Sequence, residues 1–199
     1  MRKIVSILVL FITLSSVAQI KAKVQKVNGF EVYLLAEPVR EYEAVKGGGK
    51  GIQWSSAITG GLINESIATK VSKYIKKLAK QYKDENIKFD AVVYTNGKQM
   101  TAIKFTDEKT PENSGIAVVQ KINGIPFFVM SEPVKEYEFV KTLGAGIKWK
   151  SAITGGLINN SIEEDLMKFA KKAENKFKKK KISAIIYDRG KKANTIKFN

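Results

Sequence analysis

The sequence predicts an α+β fold: two tandem copies of a small βββαββ module, each an antiparallel sheet with one amphipathic helix packed on it. Three observations support this. Val24 to Ile67 aligns without gaps on Val119 to Ile162 at a shift of 95, with 28 of 44 positions identical, so the chain reads as a tandem duplication. Each copy places Asn-Gly between two β-forming runs, the chemistry of a type I′ hairpin turn. Each copy then carries one stretch whose apolar residues recur at helical spacing.

Residues 1–18 come first and read as a secretory signal peptide. Arg2 and Lys3 supply the positive start, Ile4 to Leu14 the apolar run, and Ser16-Val17-Ala18 the small residues before a cut. A run of about 11 residues falls short of the roughly 20 that a membrane-spanning helix needs. Export to the periplasm or the extracellular space is the expectation.

Module 1 occupies 19–106. Strands are expected at Lys23 to Val27 and Phe30 to Leu35 around Asn28-Gly29, with a third from Val39 to Lys46. A glycine-bearing loop follows, through Trp54 to Gly61. The helix shows a stripe of Ile67, Val71, Tyr74, Ile75, Leu78, Ala79 and Tyr82 opposite a lysine face. A hairpin closes the module, Phe89 to Tyr94 and Gln99 to Phe105 around Asn96-Gly97.

Residues 107–115 are polar, hold Pro111 and Gly115, and read as a linker. Module 2 occupies 116–199 and repeats the order: Ala117 to Ile122, Ile125 to Met130, Val134 to Lys141, a helix from Ile162, and strands Ile182 to Tyr187 and Ala193 to Phe198. A module this small buries a limited fraction of its surface, which favours pairing of the two copies as an internal pseudo-dimer.

Composition narrows the chemistry. Without cysteine there is no disulfide scaffold, and without histidine there is no Cys/His zinc site, Ser-His-Asp triad or Cys-His dyad. No cofactor is called for. The formal charge of +16 favours an anionic surface, a glycan or an envelope component as partner. Arginine occurs only at 2, 40 and 189, which argues against sequence-specific DNA binding. The basic tract Lys168 to Lys181 fits either an anion-binding patch or the wet face of the second helix.

Two constellations could carry chemistry. In the acidic strands, Glu41 and Glu43, and Glu136 and Glu138, lie about 7 Å apart on one face. Such a pair could hold a hard cation or act as acid and base on an extracytoplasmic carbohydrate; equally, it could face lysines on neighbouring strands. The second is the string Gly-x-Gly-Ile-x-Trp-x-Ser-Ala-Ile-Thr-Gly-Gly. It places Trp54, Ser56 and Thr59 in one copy and Trp149, Ser151 and Thr154 in the other, as a sugar- or aromatic-binding loop or as an anchor over the sheet. The leading expectation is a non-enzymatic exported binding protein with these loops as contact surface. A carboxylate enzyme and a basic envelope-associated structural protein are the alternatives.

Overall fold

The computed structural model describes residues 19–45, 67–94, 100–144, 166–167, 170–171, 173–175, 181–188 and 192–199. They form a mostly β structure with mixed and antiparallel sheets and one long helix. The first half contributes β1 (Lys21–Val24), β2 (Lys26–Val27), β3 (Phe30–Leu34), β4 (Ala36–Pro38), β5 (Tyr42–Ala44), α1 (Ile67–Asp84), β6 (Ala91–Tyr94) and β7 (Thr101–Phe105). From the second come β8 (Ile116–Val119), β9 (Lys121–Ile122), β10 (Ile125–Val129), β11 (Ser131–Pro133), β12 (Tyr137–Gly144), β13 (Ala184–Asp188) and β14 (Lys192–Phe198). Helical residues also occur at 166–167, 170–171 and 173–175.

The predicted hairpins at Asn28-Gly29 and Asn123-Gly124 are present, with φ of 52° and 88° in one and 53° and 78° in the other, as a type I′ turn requires. In each, the turn asparagine reaches the helix layer: Asn28 Nδ2 donates to the Ser72 carbonyl at 3.2 Å, and Asn123 Nδ2 to Glu174 Oε2 at 3.3 Å. The helix stripe holds as well. Val71, Tyr74, Ile75, Leu78 and Tyr82 are buried, while Lys76, Lys77, Lys80 and Lys83 face outward.

The sheets differ from expectation in two ways. A purely antiparallel sheet was expected, yet β3 and β6 run parallel, as do β10 and β13. A long connection that includes a helix lets the chain re-enter beside an earlier strand in the same direction. The third strand, expected from Val39 and from Val134, instead starts after a corner, at β5 and β12, and the residues ahead of each corner form the short strands β4 and β11. Likewise the first strand breaks at Gln25 and at Gln120.

These breaks move the chain between two sheets. One is ten-stranded, along the path β12-β14-β13-β10-β3-β6-β7-β5, with β2 and β9 attached; the other is four-stranded, β11-β1-β8-β4. Leu35 and Met130, buried at the switch after β3 and β10, adopt φ of 53° and 51°. Left-handed backbone costs a non-glycine residue about 1–2 kcal/mol. Hydrogen bonds fix it there. Leu35 N–H donates to Tyr94 O at 2.8 Å, and its carbonyl accepts Gln120 N–H at 2.9 Å; Met130 N–H donates to Tyr187 O at 3.4 Å, and its carbonyl accepts Gln25 N–H at 3.0 Å.

Alternation along the central strands covers both faces of the large sheet. Val32, Leu34, Val92, Tyr94 and Ala102 pack towards the helix in one cluster that also holds Phe127, Val129, Ile185, Leu166 and Ala170. On the other face two small clusters lie under the four-stranded sheet, one around Tyr33, Val93 and Ile103 and one around Phe128, Ile186 and Ile196. Each draws on both halves: Val24 and Ala117 in the first, Ala22 and Val119 in the second.

Candidate functional site

Beside the first of these small clusters, and sharing Phe105 with it, lies a cleft of about 320 Å³. Its position follows from the strand register. Lys26 in β2 sits directly across from Glu31 in β3, beside the turn at Gly29, and β6 runs alongside, bringing Asp90 next to the end of β7. Phe105 ends β7, Arg40 comes from the corner between β4 and β5, and Lys109 from the segment joining the halves.

Two buried charged side chains line this cleft. Glu31 is 5% exposed and Arg40 7%. Isolated charges cannot stay in such places, so each must have partners. Tyr33 Oη donates to Glu31 Oε2 at 2.6 Å and Ser114 Oγ to Glu31 Oε1 at 3.4 Å. Arg40 donates from Nε to Asp107 Oδ1 at 2.8 Å and from Nη2 to the Asp107 carbonyl at 2.7 Å, with its guanidinium carbon 3.9 Å from the centre of the Phe105 ring. Burial first, then the hydrogen bond to Glu31, pushes the Tyr33 phenol well above its ordinary range, so it stays a donor.

These contacts also hold the expected linker, which is pinned to the first half at both ends. Arg40 grips Asp107, and Glu31 receives Ser114. Gly115 follows at φ +69°, a conformation suited to glycine, and its carbonyl accepts the Val24 N–H at 2.8 Å. Even so, the clasp leaves hydrogen-bonding capacity on side chains that line the cleft. Arg40 uses two of its five N–H donors in it, and each Glu31 oxygen retains an acceptor direction. Asp90 spends Oδ2 on the Phe105 N–H at 2.9 Å.

At the aligned positions the second half keeps the frame and lacks the buried charges. Glu31 becomes Pro126, Tyr33 becomes Phe128, Arg40 becomes Lys135 and Asp90 becomes Ser183. Ser183 Oγ still accepts the Phe198 N–H at 3.1 Å, as Asp90 does for Phe105, and Lys135 Nζ lies 5.7 Å from the Phe198 ring.

The acidic residues lie at the starts of two edge strands, and lysines stand across from two of them. Glu41 and Glu136 precede β5 and β12 rather than lying in them, while Glu43 is registered across from Lys104 and Glu138 across from Lys197. All four are exposed and none lines the cleft. What joins the repeated string is another pair: Tyr42 Oη donates to Glu37 Oε2 at 2.7 Å, and Tyr137 Oη to Glu132 Oε2 at 2.9 Å, each closing the corner between two strands. Burial and this hydrogen bond push Tyr42 up to about 12 and raise Tyr137 in the same direction.

Trp54, Ser56, Thr59, Trp149, Ser151 and Thr154 lie outside the described residues, as do residues 1–18 and most of the Lys168 to Lys181 tract. Sequence reasoning missed Glu31, Tyr33, Asp90 and Asp107 because it followed what the copies share. The available signal was the opposite one, a cluster of polar residues in one copy aligned with apolar or smaller residues in the other. Among the described residues no group of three or more acidic side chains could hold a metal ion, and no helix is long and apolar enough to cross a membrane. No protein-family model, curated protein or solved structure matches the chain.

Proposed function

We propose that the chain is an exported, non-enzymatic binding protein built from two tandem copies of one module and paired as a pseudo-dimer, in which the first copy keeps a ligand cleft and the second serves as its structural counterpart. The observation that carries this reading is the contrast at equivalent positions: buried Glu31, Tyr33 and Arg40 in one half, Pro126, Phe128 and Lys135 in the other. Polar groups are costly to bury, and a fold that closes this region with apolar residues in one half has no packing need for charge in the other. Pairing of the copies is supported by reciprocity, since Gln25 bonds to Met130 and Gln120 to Leu35, and Val39 to Ile116 and Val134 to Lys21. The tryptophan loops stand as a second contact surface within the same reading.

Two measurements test it. Intact mass of protein recovered from the extracytoplasmic fraction is expected to start at Gln19; a chain retaining Met1 in the cytoplasm would sink export. In amide NMR of the mature chain against a library of small polar compounds, hits are expected to move Gly29, Phe105 and Lys109 and to spare Gly124 and Phe198. Hits spread equally over both halves would remove the cleft as the site.

An anionic surface is a second partner for this reading, supported by the exposed lysines along α1. Fractionation with anionic vesicles that does not respond to salt would dispose of it.

A further inference from the structure

We infer that the cleft of the first half takes a small zwitterion, a molecule carrying an ammonium and a carboxylate such as a free amino acid or short peptide. The inference rests on that cleft being a binding site. It follows from the charges that the clasp leaves over. Arg40 is compensated by Asp107, and beyond that pair the lining holds Lys26 and Lys109 against Glu31 and Asp90. A simple anion would sit beside two carboxylates and a simple cation beside two lysines and a guanidinium, each meeting repulsion. A ligand with both charges meets neither.

The lining offers partners for both charges, Lys26, Lys109 and Asp90 being exposed and Glu31 and Arg40 buried. Lys26 and Lys109 are exposed and stand at the rim, where they would receive the carboxylate together with the unshared N–H groups of Arg40. Glu31, on the buried side, and the second oxygen of Asp90 would receive the ammonium. A volume of about 320 Å³ is at the small end of ligand pockets, which run about 300–1,000 Å³. A neutral or acidic sugar fits less well. Stacking on an aromatic face is its usual anchor, and one face of Phe105 is already covered by the Arg40 guanidinium at 3.9 Å.

The second half supplies a fold-preserving variant. Asp90→Ser installs the residue found at 183, which caps the equivalent N–H while carrying no charge. The full mature chain would be titrated by amide NMR with alanine and dialanine (both charges), N-acetylalanine (carboxylate only), alaninamide (ammonium only), glucose and glucuronate. Alanine or dialanine is expected to shift Gly29, Phe105 and Lys109 saturably, with both singly charged analogues at least about tenfold weaker. Asp90→Ser and Lys26→Gln should each weaken the zwitterion about tenfold or more, as loss of a charge-assisted hydrogen bond does, while Lys135→Gln leaves it unchanged. Singly charged analogues or sugars that bind the cleft as well as the zwitterion would overturn the ligand class and leave the cleft standing. No saturable shift at the cleft with any of the six compounds would overturn both.

Discussion

Residues 19–106 and 116–199 share strand boundaries from β1 to β4 and β8 to β11, the same two switches at Leu35 and Met130, and the same tyrosine-to-glutamate staple at the corner. Under the four-stranded sheet they part. The first half buries Tyr33 and Glu31 beside a guanidinium, where the second buries Phe128 beside Pro126 and leaves Lys135 in solvent. One backbone frame thus supports either an apolar filling or a charged clasp, because the frame is set by main-chain bonds and the filling by a few side chains.

The largest test of this contrast is the arginine. Arg40→Ala strips the partner from Asp107 and the cover from Phe105, and should cost about 3 kcal/mol in urea unfolding, less than a fully buried pair because Asp107 is 28% exposed. Lys135→Ala, at an exposed site, should stay within about 0.5 kcal/mol. Equal losses would mean that the clasp does not distinguish the halves.

Exchanging the buried rings comes next. Tyr33→Phe deprives Glu31 of its 2.6 Å donor, and Phe128→Tyr introduces a hydroxyl at a fully buried position beside Pro126; each should cost about 1–3 kcal/mol. If Phe128→Tyr were neutral, the second half would hold an acceptor for it, and the two fillings would be closer than they look.

Alkali sharpens the same comparison. Tyr33 is raised well above its ordinary range, and Tyr74, mainly through burial, to about 12. The aligned residues, Phe128 and Phe169, cannot ionise. A phenol whose folded value exceeds the unfolded one contributes stability that is complete below about pH 10 and lost as pH rises towards the folded value, because the unfolded chain releases its proton first. Stability should therefore fall above about pH 10, and Tyr33→Phe should flatten that fall. An unchanged slope in the variant would show that Tyr33 ionises alike in both states.

The smallest effect concerns the position after each switch. Ser131 Oγ is buried with no hydrogen-bond partner among the described residues, where the first half has Ala36. Ser131→Ala should gain up to about 1 kcal/mol, and Ala36→Ser should lose about 1–2 kcal/mol. A loss on Ser131→Ala would reveal a partner for the hydroxyl.

Local patterns were legible wherever one residue type serves one backbone need. Asn-Gly at 28–29 and 123–124 announced the hairpins, and the spacing from Val71 to Tyr82 announced α1 with its lysine face outward. The corners were not legible. Val39 to Lys46 alternates like a continuous strand, but the Glu37 to Tyr42 hydrogen bond and the kink at Leu35 come from contacts that period-2 patterning does not encode. Nor does alternation show that Glu41 and Glu136 stand one residue ahead of β5 and β12, with their carbonyls taken by the Thr106 and Asn199 N–H groups.

The sequence by itself determined the identities shared between 24–67 and 119–162, the turns, the helix stripe and the absence of thiol and imidazole chemistry, because each depends on residue identity or on neighbours within a few positions. Only the tertiary structure decided that β3 and β6 lie parallel, that strands of both halves alternate in the four-stranded sheet, and that Glu31, Arg40, Asp90 and Asp107 meet. Those outcomes depend on which distant segments pair, and pairing is chosen by burial summed over the whole fold.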